Sequence, residues 1–237
     1  MGKDILGQAL LDFQNGDYIE DIATYSSLEE HDSMPLPYLF RDYKDMPTLE
    51  QKAMELSYGN ILDIGCGAGS HSLYLQNKNL KITALDSSKG AVETCLLRGI
   101  DQVVHSDIYA FTGQRFNTLL MLMNGIGIVG KLNKLDLFFA HLKTLLKPKG
   151  QILLDSSDII YMYRTEDTNE YWIPSGPAYY GEVIFTMQYK GIKGDAFPWL
   201  YIDYNTLQRA ATANNLICEL ICEGKHYDYL AKLTLKA

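Results

Sequence analysis

Apolar positions along this chain follow two periods, and the change from one to the other marks out its architecture. Ile5, Leu6, Ala9, Leu10 and Phe13 recur at helical spacing, which predicts a short amphipathic helix over residues 4 to 14. Residues 15 to 37 are polar and weakly periodic and read as a lid or irregular arm. Pro47 suits the first turn of a second helix, with Leu49, Ala53 and Leu56 as its stripe and Gly59 as its stop. Strand and helix patterns then alternate. Ile61, Leu62 and Ile64 form one short apolar run, and others follow at residues 82 to 85, 102 to 104, 116 to 123 and 151 to 155. Between them lie helical stripes, among them Ala91, Val92, Cys95 and Leu96, with Ser87 or Ser88 as cap and Gly99 as stop, and Leu135, Phe138, Leu142 and Leu145. Strands alternating with helices predict a parallel sheet covered on both faces.

Beyond Asp155 the pattern changes. Residues 182 to 190 and 199 to 203 read as two strands joined by the turn Gly191-Ile192-Lys193-Gly194-Asp195. A helix over residues 205 to 213 precedes a final antiparallel pair at 216 to 222 and 229 to 235. The expected fold is α/β: a Rossmann-like, doubly wound, seven-stranded, mostly parallel sheet with an antiparallel C-terminal hairpin. A helical arm or lid over residues 1 to 58 precedes the main domain at 59 to 237, and a β-hairpin insertion at 158 to 204, after the fifth strand, serves as a substrate cap.

The chemistry begins where the first parallel strand stops, at Asp63-Ile64-Gly65-Cys66-Gly67-Ala68-Gly69-Ser70. Glycines permit backbone angles that a β-carbon forbids and let a ligand approach the main chain. The helix that follows turns unpaired amide hydrogens toward whatever lies above the turn. Asp86 closes the next strand, where an acid can take both hydroxyls of a ribose. In a dinucleotide fingerprint the third glycine would come one residue later, so the spacing favours another adenosyl cofactor while leaving a nicotinamide dinucleotide open.

The stretch Leu62-Asp63-Ile64-Gly65-Cys66-Gly67-Ala68-Gly69 resembles the first motif of the class I S-adenosylmethionine-dependent methyltransferases. Asp86, the run His105-Ser106-Asp107-Ile108, the strand from Phe116 and Leu145-Leu146-Lys147-Pro148-Lys149-Gly150 match the family's later motifs in order. The resemblance implies S-adenosyl-L-methionine as cofactor. Asp63 would meet the methionine ammonium, Asp86 with Ser87 the ribose, and Ser106, Asp107 and Ile108 the adenine. Gly65, Cys66, Gly67 and Gly69 would line the approach, and Met123, Asn124 and Gly125 the transfer end. In some small-molecule members an arginine placed like Arg41 holds the methionine carboxylate; the other reading is a solvated arginine paired to Asp42 or Asp45. Tyr38 and Tyr43 are candidates for the same mouth, as they are for simple aromatic packing.

A sulfonium is already an excellent leaving group, so such an enzyme works mainly by aligning its acceptor and excluding water. No single catalytic side chain stands out; Asn124, His71, Tyr180 and Tyr201 are the candidates. Aromatic residues crowd the segment after the fifth strand and suit either a pocket for a partly apolar or cationic acceptor or a dimer contact. Nothing in the spacing of Cys and His suggests a metal.

Composition removes several classes. The chain has 237 residues, 47% of them hydrophobic, and a formal net charge of -8. It offers no broad cationic surface for phosphates, so nucleic acid is not an expected partner. No membrane span is apparent, and a cytoplasmic location is expected. The four scattered cysteines read as small buried hydrophobes. The expected partner is a small-molecule acceptor, with a homodimer as a further possibility. A protein methyltransferase, an NAD(P)-binding oxidoreductase and a non-catalytic cofactor-binding module are the alternatives.

Overall fold

The computed structural model describes residues 3 to 165, 170 to 173 and 178 to 236, so parts of the expected cap, at 166 to 169 and 174 to 177, lie outside the described residues. From the N-terminus the elements are α1 (Ile5–Asn15), β1 (Ile22–Ser26), β2 (His31–Met34), α2 (Leu36–Leu39), α3 (Thr48–Leu56), β3 (Asn60–Ile64), α4 (Ser70–Asn77), β4 (Lys81–Asp86), α5 (Lys89–Leu97) and β5 (Val103–His105). They continue as β6 (Phe116–Met121), α6 (Leu135–Leu145), β7 (Leu146–Ser157), β8 (Glu182–Tyr189), β9 (Ile192–Lys193), β10 (Phe197–Leu200), α7 (Tyr204–Ala213), β11 (Leu216–Glu223) and β12 (Asp228–Leu235). Among the described residues no helix is long and apolar enough to cross a membrane.

A seven-stranded sheet runs in the order β11-β12-β7-β6-β3-β4-β5. Its five strands from β7 to β5 are parallel, and β12 enters antiparallel beside β7. The central strands are near-continuous apolar runs because both faces are buried. Leu62, Leu119, Ile152 and Leu154 pack with Phe138, Phe139 and Leu142 of α6 on one face; Ile61, Leu120 and Leu153 pack with Ala53 and Met54 of α3 on the other. The strand expected at residues 151 to 155 is longer at both ends, since β7 absorbs the turn at Lys149, which holds φ at 62°.

A second sheet, in the order β10-β8-β1-β2 with β9 beside β8, lies across the carboxyl edge of the first. Here the structure corrects the reading of residues 15 to 37 as an irregular arm. Residues 22 to 26 and 31 to 34 are paired strands, and β1 also pairs with β8, so N-terminal and C-terminal segments build one roof. The second strand expected at 199 to 203 begins earlier, at Phe197, and includes Pro198. Because β10 is an edge strand, the missing amide of Pro198 deprives no neighbour of a partner.

The roof is fastened at both ends. Asp4 accepts from Ser88 Oγ and Gly90 N, tying α1 to α5, while the Asn124 side chain donates to Leu200 O at 3.2 Å beside β10. Trp199 lies flat on Gly127, where a β-carbon would overlap the indole. Gly127→Ala should therefore cost about 1–3 kcal/mol, the range for overpacking, read from urea denaturation. An unchanged midpoint would mean that the indole is free to move away.

Candidate functional site

At the end of β3 the chain turns through Gly65 (φ 74°) and Gly67 (φ 54°), conformations that favour glycine. Leu85 O accepts from the amides of Gly65 and Cys66 at 2.8 and 3.1 Å, and Asp86 Oδ2 accepts from Gly67 N at 2.9 Å. The second oxygen of Asp86 accepts from Ser88 N at 2.8 Å. Asp86 is buried, which raises its pKa, while those two amide bonds oppose the rise. A β-carbon on Gly67 would meet nothing within 4 Å, so this loop faces open space. Gly69 differs. It does not line the cavity, and its β-carbon would overlap Ile100 and press on Cys95. The expectation that Gly69 admits the cofactor is corrected: it is a packing glycine in left-handed conformation at the start of α4. The thiols of Cys66 and Cys95 lie 3.7 Å apart beneath the loop, and that contact, then burial, holds the Cys66 pKa high.

At the floor, Asp63 is buried and accepts from Ser72 Oγ at 2.6 Å. Burial raises its pKa; the His71 and Ser72 contacts pull the other way. Arg41 is buried too, with its guanidinium 3.9 Å from the centre of the Tyr38 ring. Its partner is neither Asp42 nor Asp45, which corrects the solvated alternative. Glu50, from the first turn of α3, bridges Arg41 Nη2 and His71 Nε2 at 2.5 and 2.8 Å. Burial alone would raise the Glu50 pKa, but His71 and Arg41 together bring it below its ordinary value. Arg41 Nε is buried with no hydrogen-bond partner. Tyr43 leaves the mouth and stacks on Tyr74 at 4.2 Å.

At the far end of β6, Met123 and Asn124 hold φ at 63° and 56°, unusual for side-chain-bearing residues. Asp155, from β7, accepts from the amides of Met123 and Gly125, both at 3.1 Å. Asn124 is fully engaged: its Oδ1 accepts from Ser156 Oγ at 2.9 Å and its amide donates to Leu200 O. Its side chain thus anchors the roof while the residue borders the cavity. Tyr201 lines the cavity with a hydroxyl whose pKa burial pushes up to about 12. Tyr180 does not; its hydroxyl donates to Asp158 at 2.7 Å, so it is withdrawn as a catalytic candidate. Tyr179 likewise spends its hydroxyl on Asp203 at 2.7 Å.

One cavity of about 1750 Å³ joins these parts. Arg41, Asp63, Gly65, Cys66, Gly67, Asp86, Ser87, Ser106, Asp107, Ile108, Met123, Asn124 and Gly125 all line it, as do His71 and Tyr38. Sequence reasoning missed Glu50 and Asp155. Glu50 carried a signal, being a carboxylate beside Leu49 and one turn before Ala53 on a buried stripe. So did Asp155, an acid ending an apolar run as Asp86 does.

A methyltransferase-domain family model matches residues 61–150. The chain is 43% identical to a SAM-dependent methyltransferase from Bacteroides fragilis, solved in complex with S-adenosyl-L-homocysteine; the match covers 99% of this chain and 96% of that one, with a TM-score of 0.92. Streptomyces venezuelae DesVI shares the fold at 20% identity, over 85% and 96% of the two chains, with a TM-score of 0.57. The sugar N-methyltransferase KedS8 from a Streptoalloteichus species shares it at 13% identity, over 80% and 85%, with a TM-score of 0.55. No curated protein sequence matches significantly. The chain belongs to the S-adenosylmethionine-dependent methyltransferases, and its cofactor is S-adenosyl-L-methionine.

The residues present fit that cofactor. The partnerless Arg41 Nε and the open face of Gly67 are what an anionic tail and a close-lying ligand require, and Asp86 keeps a lone pair on each oxygen for hydroxyl donors. The nicotinamide alternative is set aside.

Proposed function

We propose that this methyltransferase acts on a small-molecule acceptor enclosed between its two sheets. The observation that carries the reading is the continuity of one cavity from the glycine loop to the roof. Its volume of about 1750 Å³ exceeds the several hundred Å³ usual for a single bound small molecule, leaving room for a second. A roof strand lying over the transfer loop, with Trp199 against Gly127, narrows the approach to the site, which favours a small acceptor over a polypeptide. Fold relatives that include a sugar methyltransferase are compatible with the same class.

When bound, the cofactor supplies a methyl group on a sulfonium, already activated for in-line attack. The chain's own residues bind and orient. Arg41 takes the carboxylate, Asp63 the ammonium, Asp86 and Ser87 the ribose, and Asp107 with Ile108 the adenine. The backbone of Met123 to Gly125 shapes the transfer end, while Trp199 and Tyr201 exclude water there. His71 is held by Glu50 at the floor and serves the cofactor's tail.

Asp86→Ala should weaken S-adenosylhomocysteine binding by about 1.5–3 kcal/mol, read by calorimetry, the scale of a lost hydrogen bond to a charged group. An unchanged affinity would remove Asp86 from the site. For the acceptor, radiolabelled methyl transfer into a fractionated cell extract should label the low-molecular-weight fraction. Label confined to the protein fraction would overturn the small-molecule reading.

A further inference from the structure

The roof sheet grades from aromatic to acidic across its strands, on the face that lines the cavity. Directly opposed residues share a face, so the pairing register can be read as rows. Phe197 of β10 opposes Phe185 of β8, which opposes Ser26 of β1, whose amide donates to Glu30 O at 3.0 Å. In the next row Met187 opposes Thr24, which opposes Asp32. Every one of these residues belongs to the cavity lining, and along the edge strand β2 so do His31 and Ser33. Three strand spacings separate β10 from β2, about 14 Å.

The aromatic end is the reacting end. Trp199 rests on Gly127, and Leu200 O is held by Asn124 of the transfer loop, so β10 sits over the site of methyl transfer. The acidic end lies at the opposite edge. Glu30 and Asp32 are exposed there and border the cavity. Among the described residues, no lysine or arginine of the roof lines the cavity. Lys193 sits instead over the Tyr25 ring, 5.0 Å from its centre; His31, edge-on to the same ring, is the one basic roof residue in the lining among the described residues. Of the lining's lysines and arginines, Arg41 and Lys89 belong to the cofactor end, and Lys3 stands just before α1.

Resting on the small-molecule reading above, we infer that the acceptor is an amphipathic amine. Its apolar body lies on Phe185, Phe197 and Trp199 and presents the methyl-accepting atom at β10. A protonated amine at its far end lies over Glu30 and Asp32. Anionic acceptors, nucleoside-diphosphate-linked sugars among them, would bring phosphates against the Glu30 and Asp32 carboxylates, with no lysine or arginine of the roof beside them, so they are disfavoured. The net charge of -8 adds to that repulsion.

The test titrates three shape-matched probes, phenylhexylamine, phenylhexanol and phenylheptanoate, together with uridine-diphosphate glucose, into protein already saturated with S-adenosylhomocysteine. The amine should bind roughly tenfold tighter than the alcohol, while the acid and the nucleotide sugar should not bind. The Glu30→Gln, Asp32→Asn double variant should bring the amine to the alcohol's affinity, and Trp199→Ala should weaken amine and alcohol alike by about tenfold. Equal or tighter binding of the acid or the nucleotide sugar overturns the proposal. So does an amine that fails to bind, or that binds without regard to Glu30 and Asp32. Failure of S-adenosylhomocysteine itself to bind would instead strike at the methyltransferase reading, which separates the two.

Discussion

Replacing Glu50 by glutamine should cost about 3–5 kcal/mol of folding stability, the usual penalty for breaking a buried ion pair from one side, and weaken S-adenosylhomocysteine binding by at least tenfold. Its carboxylate is the one charge bridging Arg41 and His71 at the cavity floor, and Arg41 and Glu50 are both nearly inaccessible to water. A glutamine would turn its amide donor toward one of the two donors it must satisfy. Arg41 would then be a buried cation without a counter-charge, free to swing away from its place beside Tyr38 in the cavity lining. The pH dependence has a definite sign. Glu50's folded pKa lies below its ordinary 4.5, so its contribution is fully present above that value and is lost as pH falls through the lower folded value. Glu50→Gln should flatten this acid limb in denaturation curves taken between about pH 3 and 7. Arg41→Lys is the companion, keeping charge but losing the guanidinium fork, and it should weaken cofactor binding as well. If Glu50→Gln loses stability yet binds S-adenosylhomocysteine as the wild type does, Glu50 is structural and does not position Arg41.

The seven-stranded sheet was legible because its strands are buried on both faces. Apolar residues dominate such strands, and buried polar ones such as Thr118 and Gln151 are hydrogen-bonded, so β3, β4, β6 and β7 read as mainly apolar runs. The glycine loop was legible for a different reason: positive φ at Gly65 and Gly67 is a local backbone demand written in residue type. Half of the roof carried neither signal. Along β1, Thr24 and Ser26 line an open cavity while Tyr25 does not, and along the edge strand β2 His31, Asp32 and Ser33 all border it, so the apolar–polar alternation that marks a half-buried strand never appears. A binding surface looked like a polar arm. β8 was read correctly as a strand because its cavity side is Val183, Phe185 and Met187.

Side-chain partnerships were less accessible than elements. The Arg41 contact with Glu50 joins residues nine apart on separate elements, and nothing local favours it over Asp42 or Asp45. Tyr180 and Tyr201 look alike in an aromatic-rich segment. What separates them is that Asp158 takes one hydroxyl while the other residue faces the cavity, and both facts depend on tertiary packing. Gly69 shares its motif with Gly67, yet Ile100 and Cys95 close over it from β5's approach and α5. A motif places a residue near a ligand; packing decides whether it touches.

Asp155→Ala should loosen the transfer loop and cost about 1–3 kcal/mol, because the buried amide of Gly125 and the part-buried amide of Met123 lose their acceptor together. Those amides flank Asn124, and the unusual φ values at Met123 and Asn124 are held by this carboxylate, by the Asn124 side-chain bonds and by the Gly127 amide on Asn124 O at 2.9 Å. The expected readouts are a weaker S-adenosylhomocysteine affinity and faster amide exchange at residues 123 to 125. Asp155→Asn isolates the charge. Burial pushes the Asp155 pKa up to about 7, against the Gly125 hydrogen bond and with the help of the nearby Glu50 charge. Between its unfolded value near 3.8 and about 7 the native state holds a proton that the unfolded state has released, so this group's contribution to stability falls as pH rises through that window. The grip on the loop runs the other way, since the ionised carboxylate accepts both amides best, and cofactor affinity should rise as pH passes about 7. Asp155→Asn should abolish both slopes at once. Stability and affinity profiles in the variant that keep the wild-type pH dependence would show that another group titrates there and that Asp155 does not govern the loop.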